Sequence, residues 1–233
     1  MRVLAFDMTS SRITVGLAEN RRAIGRWDAT ARRGRSGTLD ALIEKALSEA
    51  GWDRGGISGL GLVTGPGSLT ATRIGWATAS GWALAAGIPV TGWPSQAVQH
   101  RWWHDATLRS QAGIEVDPHL AIECVIHHRG DEFYRYDLSG TEIPQCPDSI
   151  CLDEWVPIND TATLLVGSGI LGYRDRWISA VGSAGRVVPE ENALVGGDTL
   201  AMWAAEALEM GHVFDPLESP LDYGLPPVFR KSA

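Results

Sequence analysis

Apolar residues along the chain first alternate, then recur at helical spacing, and the whole rhythm restarts near the middle. Residues 3–6 (VLAF) form a short apolar run closed by Asp7; residues 13–17 alternate after the turn MTSSR, and residues 23–27 supply a third strand. Thr38 stands as an N-cap before Leu39, Leu42, Ile43, Ala46 and Leu47, which share one helical face, and Gly51 ends that run. Residues 60–63 read as a buried strand, a second helix follows, residues 89–93 give another strand and residues 95–104 a further helix.

After this β-β-β-α-β-α-β series the pattern repeats. Residues 120–126 and 132–138 predict two strands of a hairpin around HHRGD. Residues 139–161 hold three prolines with little periodicity and read as loop-rich. Residues 164–166 form a buried strand running into GSG, followed by a short helix over 171–180 and a small strand over 186–188. A helix over 199–210 turns Leu200, Trp203, Ala204 and Leu208 inward, and an extended tail follows. The expectation is an α/β protein of two similar halves, 1–104 and 105–233, around a cleft.

Residues 64–89 (TGPGSLTATRIGWATASGWALAAGIP) carry one charge, Arg73, in twenty-six positions. Residues 74–100 contain no Asp, Glu, Lys or Arg, yet Gly87 and Pro89 end the helix after about four turns, and Gly75, Thr78, Ser80 and Gly81 dilute it. A membrane span is therefore not expected. Gly65-Pro66-Gly67-Ser68 resembles a phosphate loop only loosely. No Lys-Ser/Thr pair follows, Thr70 stands where a dinucleotide fingerprint needs its third glycine, and the strand ending at Trp93 offers no acid for a ribose. A tight strand-to-helix turn, with Ser68 or Thr70 as cap, accounts for these residues. In the helix, Ala71, Gly75, Ala79 and Ala83 recur every fourth residue, and Ile74, Thr78, Gly81 and Ala85 make a second small stripe beside it. A helix this smooth must be covered on most sides, and the first stripe is expected to meet a helix of another subunit.

Charge narrows the partners. The net charge is −8, which argues against broad nucleic-acid binding by the chain alone. Yet residues 1–35 hold eight arginines against three acids, while the remainder holds twelve Lys and Arg against twenty-five Asp and Glu. A solvated arginine edge is the default, and a contact to RNA or an acidic partner is the sharper alternative. The start of the chain reads as a strand, not as a signal peptide. Cys124, Cys146 and Cys151 form no C-x-x-C pair and are expected as reduced structural thiols. His100 and His104 lie one helical turn apart without the Glu of H-E-x-x-H, and two half-exposed helix histidines are expected in place of a metal site; the same holds for His127-His128.

Taken together, GPGSLTATRIG and the Ala/Gly-rich helix ending GIPV resemble the signature of the TsaB (YeaZ) family. LAFDMTSSRITVGL, HHRGDEFYRYDL, LLVGSGI and PLDYGLPP resemble that family's opening strands, second strand pair, glycine turn and closing segment. The resemblance covers nearly the whole chain. It implies an actin-like, Hsp70-like, sugar-kinase fold of two ribonuclease-H-like halves. It also implies a cytoplasmic, non-catalytic scaffold subunit for making threonylcarbamoyladenosine in tRNA. Such a subunit binds a catalytic TsaD-type paralogue through its N-terminal-half helices, forms a homodimer when alone, joins a TsaE-type ATPase in a larger complex, and meets tRNA only through that complex. ATP and metal belong to the partner, and the family's old glycoprotease label finds no support in these residues.

By that resemblance the partner face comprises Ser68, Thr70, Ala71, Arg73, Ile74, Gly75, Thr78, Ala79 and Trp82. Asp7, Thr9 and Ser10 would be a degenerate nucleotide site. Active members of the superfamily hold hydrated Mg²⁺ with carboxylates from both halves. Here Asp7 remains, His127 takes the second position, and Gly224 and Leu225 stand where the family has an arginine. The rival reading is a stand-alone ATPase or small-molecule kinase of the same fold, for which only Asp7 is well placed, with Asp131 and Glu132 as poor substitutes.

Overall fold

The N-terminal alternation produces a three-stranded meander. β1 (Arg2–Asp7) pairs antiparallel with β2 (Arg12–Glu19), and β2 with β3 (Arg22–Thr30), which lies at the sheet edge. β4 (Gly59–Val63) and β5 (Val90–Trp93) then add in parallel beside β1. Parallel neighbours need crossovers, supplied by α1 (Arg35–Ala50) and α2 (Leu69–Ala86), both ended by a left-handed glycine, Gly51 and Gly87. The computed structural model describes residues 1–30, 34–111, 113, 116–117, 119–145, 147–158 and 162–224.

The second half repeats this plan. β6 (Ala121–Arg129), β7 (Glu132–Asp137) and β8 (Asp148–Cys151) form the meander, and β9 (Thr163–Val166) and β10 (Gly185–Val187) add in parallel, in the order β10-β9-β6-β7-β8. α3 (Ser95–His104) and α4 (Ala106–Gln111) connect the halves; α5 (Arg174–Val181) crosses from β9 to β10, and α6 (Gly197–Glu209) is the last helix among the described residues.

Period-two alternation assigns the faces of the first sheet. Leu4 and Phe6 point toward α1 and α2, where they join Leu39, Ile43, Leu47 and Trp76, while Val3 and Ala5 point the other way, toward Leu200, Trp203, Ala204 and Leu208 of α6. The second sheet buries Phe133 and Tyr136 with Trp177 of α5 and Trp103 of α3. α6 and β2 touch backbone to backbone: a Cβ on Gly16 or on Gly197 would overlap the other's main chain, and the Gly197 N–H donates to Thr14 Oγ1 at 2.9 Å.

Several expectations change in detail. A boundary at residue 104 separates the two sheets but not their layers, because α6 comes from the C-terminal segment and covers the first sheet. Thr38 is not the N-cap of α1; Gly34 holds that position, and Thr38 lies in the first turn with its hydroxyl donating back to the Gly34 carbonyl at 3.2 Å. Within the loop-rich stretch 139–161 one strand went unforeseen, since Asp148–Cys151 pairs with β7. That strand is too short and polar to announce itself by alternation. A 3-10 turn at Ser168–Ile170 delays α5 to Arg174.

Candidate functional site

The two small stripes of α2 part company. Ala71, Gly75, Ala79 and Ala83 are buried in the chain's own core, together with Thr72 and Trp76. Gly75 lies over Phe6 and Met8, and a Cβ there would stand 3.2 Å from the Met8 side chain, so the glycine lets the helix approach the sheet closely. The expectation that this stripe faces another subunit is therefore corrected for Ala71, Gly75 and Ala79. The second stripe faces outward: Gly81 and Ala85 are exposed and Ile74 and Thr78 half-buried, with Thr70, Arg73 and Ala77 exposed and Trp82 half-buried beside them. Leu69 is 49% exposed and Leu84 52%, so two leucines flank this smooth face. A Cβ on Gly81 would meet no other atom within 4 Å. The Arg54 guanidinium sits 5.2 Å over the Trp82 ring, and Arg73 lies 5.7 Å from the Tyr223 ring.

A cleft of about 600 Å³ opens between the halves. One wall is the β1–β2 turn, with Thr9, Ser10, Ser11 and Arg12, joined by Ser68, Leu69 and Thr70 from the start of α2. The Ser68 N–H donates to the Thr9 carbonyl at 2.7 Å, and Gly67 sits so close to Thr9 that no side chain would fit. Ser68 occupies the N-cap position, but its side chain makes no capping bond. The other wall holds His127, His128, Ser168, Leu171, Gly172, Tyr173 and Glu190. Ser68 and Thr70, expected on the partner face, thus belong to the cleft rim as well. Arg12, Tyr173 and Glu190 were not expected here; Arg12 directly follows the MTSS turn and Tyr173 lies four residues past GSG, while nothing local in the sequence marks Glu190.

Asp7 does not line this cleft. It is 5% exposed and sits beneath it, at a cavity of about 10 Å³ shared with Thr9, Ser95, Gln99 and Ser168. Its Oδ1 accepts the Thr9 N–H at 2.8 Å. Burial pushes the carboxyl above its ordinary range, with the Thr9 hydrogen bonds opposing that shift. His127, on the second wall, brings an imidazole and no carboxylate to the cleft. Its Nε2–H donates to the Gly130 carbonyl at 3.0 Å, and its ring stacks on Tyr173 with centroids 5.3 Å apart. Burial and the neighbouring Arg129 hold His128 below its usual value. One buried carboxylate and two imidazoles do not suit hydrated Mg²⁺, which takes oxygen ligands. Asp131 and Glu132 are engaged elsewhere, by Arg176 and Arg129.

His100 and His104 are tied down structurally. Their Nε2–H groups donate to the carbonyls of Gly140 and Leu138 at 2.8 and 2.7 Å, with ring centroids 4.3 Å apart. His100 is buried and His104 exposed, so they are not the half-exposed pair expected. Among the described residues no group of three His, Cys, Asp or Glu gathers as a metal site, and no helix is long and apolar enough to cross a membrane. Cys124 is buried and Cys151 half-buried as free thiols; Cys146, Arg32, Arg33 and Leu225 lie outside the described residues.

Residues 29–120 match the family model of TsaD, tRNA N6-adenosine threonylcarbamoyltransferase. That span includes α1, α2 and α3. No curated protein matches the chain in sequence. YeaZ from Pseudomonas aeruginosa superposes with a TM-score of 0.67 at 19% identity, over 95% of this chain and 99% of its own. A second structure, an uncharacterized protein with similarity to peptidase YEAZ from Pseudomonas aeruginosa, gives 0.68 at 19% identity, over 96% and 99%. The activator of the 2-hydroxyisocaproyl-CoA dehydratase from Clostridium difficile, solved with bound ADPNP, gives 0.51 at 11% identity, over 91% and 97%. At these identities the likeness is one of fold. The chain thus has the actin-like fold of YeaZ (TsaB), two five-stranded halves around a cleft, and its residues 29–120 match the TsaD family.

Proposed function

We propose that this chain is the non-catalytic scaffold subunit of a tRNA-modifying assembly, binding a TsaD-type paralogue that makes threonylcarbamoyladenosine. The observation that carries this reading is the outward face of α2. Thr70, Arg73, Ala77, Gly81 and Ala85 present a smooth surface flanked by exposed Leu69 and Leu84, within the segment that matches the TsaD family. A face without bulk lets a partner helix approach closely, and one cation at Arg73 helps fix the register.

The cleft supports the non-catalytic half of the reading. A kinase or ATPase needs metal-holding carboxylates facing the nucleotide and a general base. Here Asp7 is buried away from the cleft and His127 stands opposite. ATP and metal then belong to the partner subunit, tRNA is met only through the complex, and a TsaE-type ATPase completes it. Alone, the chain pairs with itself through the same face, in the cytoplasm.

Purification of the tagged chain from its native cell tests this. A TsaD-type protein should co-purify, and loss of the chain should deplete threonylcarbamoyladenosine in tRNA. Unchanged tRNA modification in cells lacking the chain would overturn the proposal.

A further inference from the structure

Beyond α6 the chain returns across both halves. The Phe214 N–H donates to the Val90 carbonyl at 2.8 Å, and its ring stands edge-on to Trp76, centroids 6.4 Å apart. Further on, the Asp222 N–H donates to the Thr64 carbonyl at 3.0 Å, while Asp222 Oδ2 accepts Gln96 Nε2 at 3.2 Å. A side chain on Gly65 would collide with the Asp222 carbonyl. At residue 222 the segment is thus bound to the first half.

One residue later it is bound to the second. The Tyr134 hydroxyl of β7 donates to the Tyr223 carbonyl at 3.2 Å. Gly224, at φ 73°, lies flat on the Tyr134 ring, whose Cε2 and Cζ are 2.9 Å from where a Cβ would stand. The Gly224 N–H folds back onto Asp222 Oδ1 at 2.8 Å.

Both attachments lead to the cleft. The Tyr223 ring meets Arg73, one turn along α2 from the cleft residue Thr70. The Tyr134 ring lies against the cleft residue His128 in a tilted contact, centroids 4.6 Å apart. Three consecutive residues therefore join the two walls from outside. We propose that residues 222–224 are a clasp that fixes the width of the interlobe cleft, and that the cleft opens only when the clasp is undone. Beside the clasp the Gln96 Oε1 is buried without a hydrogen-bond partner, so Gln96 is held there by its bond to Asp222 alone of its two side-chain polar atoms. Through Arg73, whatever covers the outward face of α2 also bears on the clasp.

Hydrogen exchange on the full chain tests this with three variants. Tyr134→Phe keeps the ring and removes one hydrogen bond, Gly224→Ala pushes the segment off that ring, and Asp222→Ala removes the side-chain bonds from Gln96 and Gly224 while keeping the backbone bond to Thr64. Each should speed exchange about tenfold at residues 68–71 and 127–130, as expected for losing a contact of this size, while β1 and β9 exchange as before. Faster exchange confined to residues 222–224 in the folded variants, with both walls unchanged, would overturn the proposal. Acceleration spread equally over β1 and β9 would also overturn it, because the segment would then be serving overall stability alone.

Discussion

Gly75 of α2 stands against Met8, whose Cγ and Sδ both lie 3.2 Å from where a Cβ on residue 75 would be. The Phe6 ring edge is 3.4 Å from the same point, so helix and sheet are in contact through the glycine itself. Gly75→Leu and Ala79→Leu would therefore overfill the chain's own core, which destabilises by about 1–3 kcal/mol. For a chain of this size each kcal/mol corresponds to a fall of about 2–4 °C in Tm. A thermal melt of the monomer checks this, and an unchanged Tm in both variants would return these residues to a surface.

The neighbouring stripe predicts the opposite behaviour. Gly81 is exposed and its Cβ would meet nothing within 4 Å, so Gly81→Leu should leave the monomer folded. Replacing a glycine inside a helix adds stability of up to about 1 kcal/mol by propensity alone. Where two helices meet face to face, however, the added bulk should abolish association. Light scattering after size exclusion, run beside a melt, should show a monomer with equal or raised Tm; a dimer that persists would move the interface elsewhere.

These two variants mark where sequence reading was strong and where it stopped. Strand alternation and the helical faces of α1 and α6 were legible because each element has one clearly apolar side, as Leu200, Trp203, Ala204 and Leu208 show. α2 has no such contrast: both of its stripes are small, so spacing identified the stripes without saying which was inside. Large partners decided it, since Phe6, Met8 and Trp76 fill the inner side. The β8 strand and the cleft positions of Tyr173 and Glu190 depend on pairing and packing between distant segments, which local pattern does not carry. Asp7 was found by its motif, but its burial beneath the cleft floor is a tertiary fact.

That burial has a pH signature. Desolvation raises the Asp7 carboxyl above its ordinary value of 3.8, against the opposing Thr9 hydrogen bonds, so the folded chain holds this proton more tightly than the unfolded one. The associated stability is fully present below the unfolded value and is lost as pH rises through the folded value. Asp7→Asn keeps an oxygen for the Thr9 N–H and removes the charge. Its Tm relative to the native chain should therefore be higher at about pH 7 than at about pH 4. An equal difference at both values would show that Asp7 is ionised at no penalty.

Glu123 is the other buried acid among the described residues, and it is satisfied. Fully enclosed in β6, its Oε2 accepts the Trp155 indole N–H at 3.0 Å, and its Oε1 accepts the Ile158 N–H at 2.8 Å and the Thr163 hydroxyl at 3.2 Å. Glu123→Ala removes the acceptor of all three bonds, and leaving the buried Trp155 indole N–H without its acceptor costs about 1–3 kcal/mol. The urea midpoint should drop sharply, and Glu123→Gln, which keeps one acceptor oxygen but sets an amide against the indole, should fall between. A midpoint unmoved by Glu123→Ala would mean that water replaces the carboxylate at no loss.

Nucleotide chemistry gives the sharpest test of the division of labour. Mg²⁺ is held by oxygen ligands at near-octahedral geometry, usually one or two carboxylates with the substrate phosphates. Asp7 lies below the cleft, at the smaller cavity, with Oδ1 already accepting a backbone N–H. His127 offers nitrogen where oxygen is wanted, and its Nε2 is occupied by the Gly130 carbonyl, with the Tyr173 hydroxyl 3.4 Å away. Asp131 is drawn off by Arg176, which holds its carboxyl below the usual range. Calorimetry of the isolated chain with Mg²⁺ and ATP should accordingly register no binding tighter than about millimolar, the weak end of the affinity scale. Micromolar affinity that disappears in Asp7→Ala would sink the scaffold reading and make the chain an ATPase or kinase in its own right.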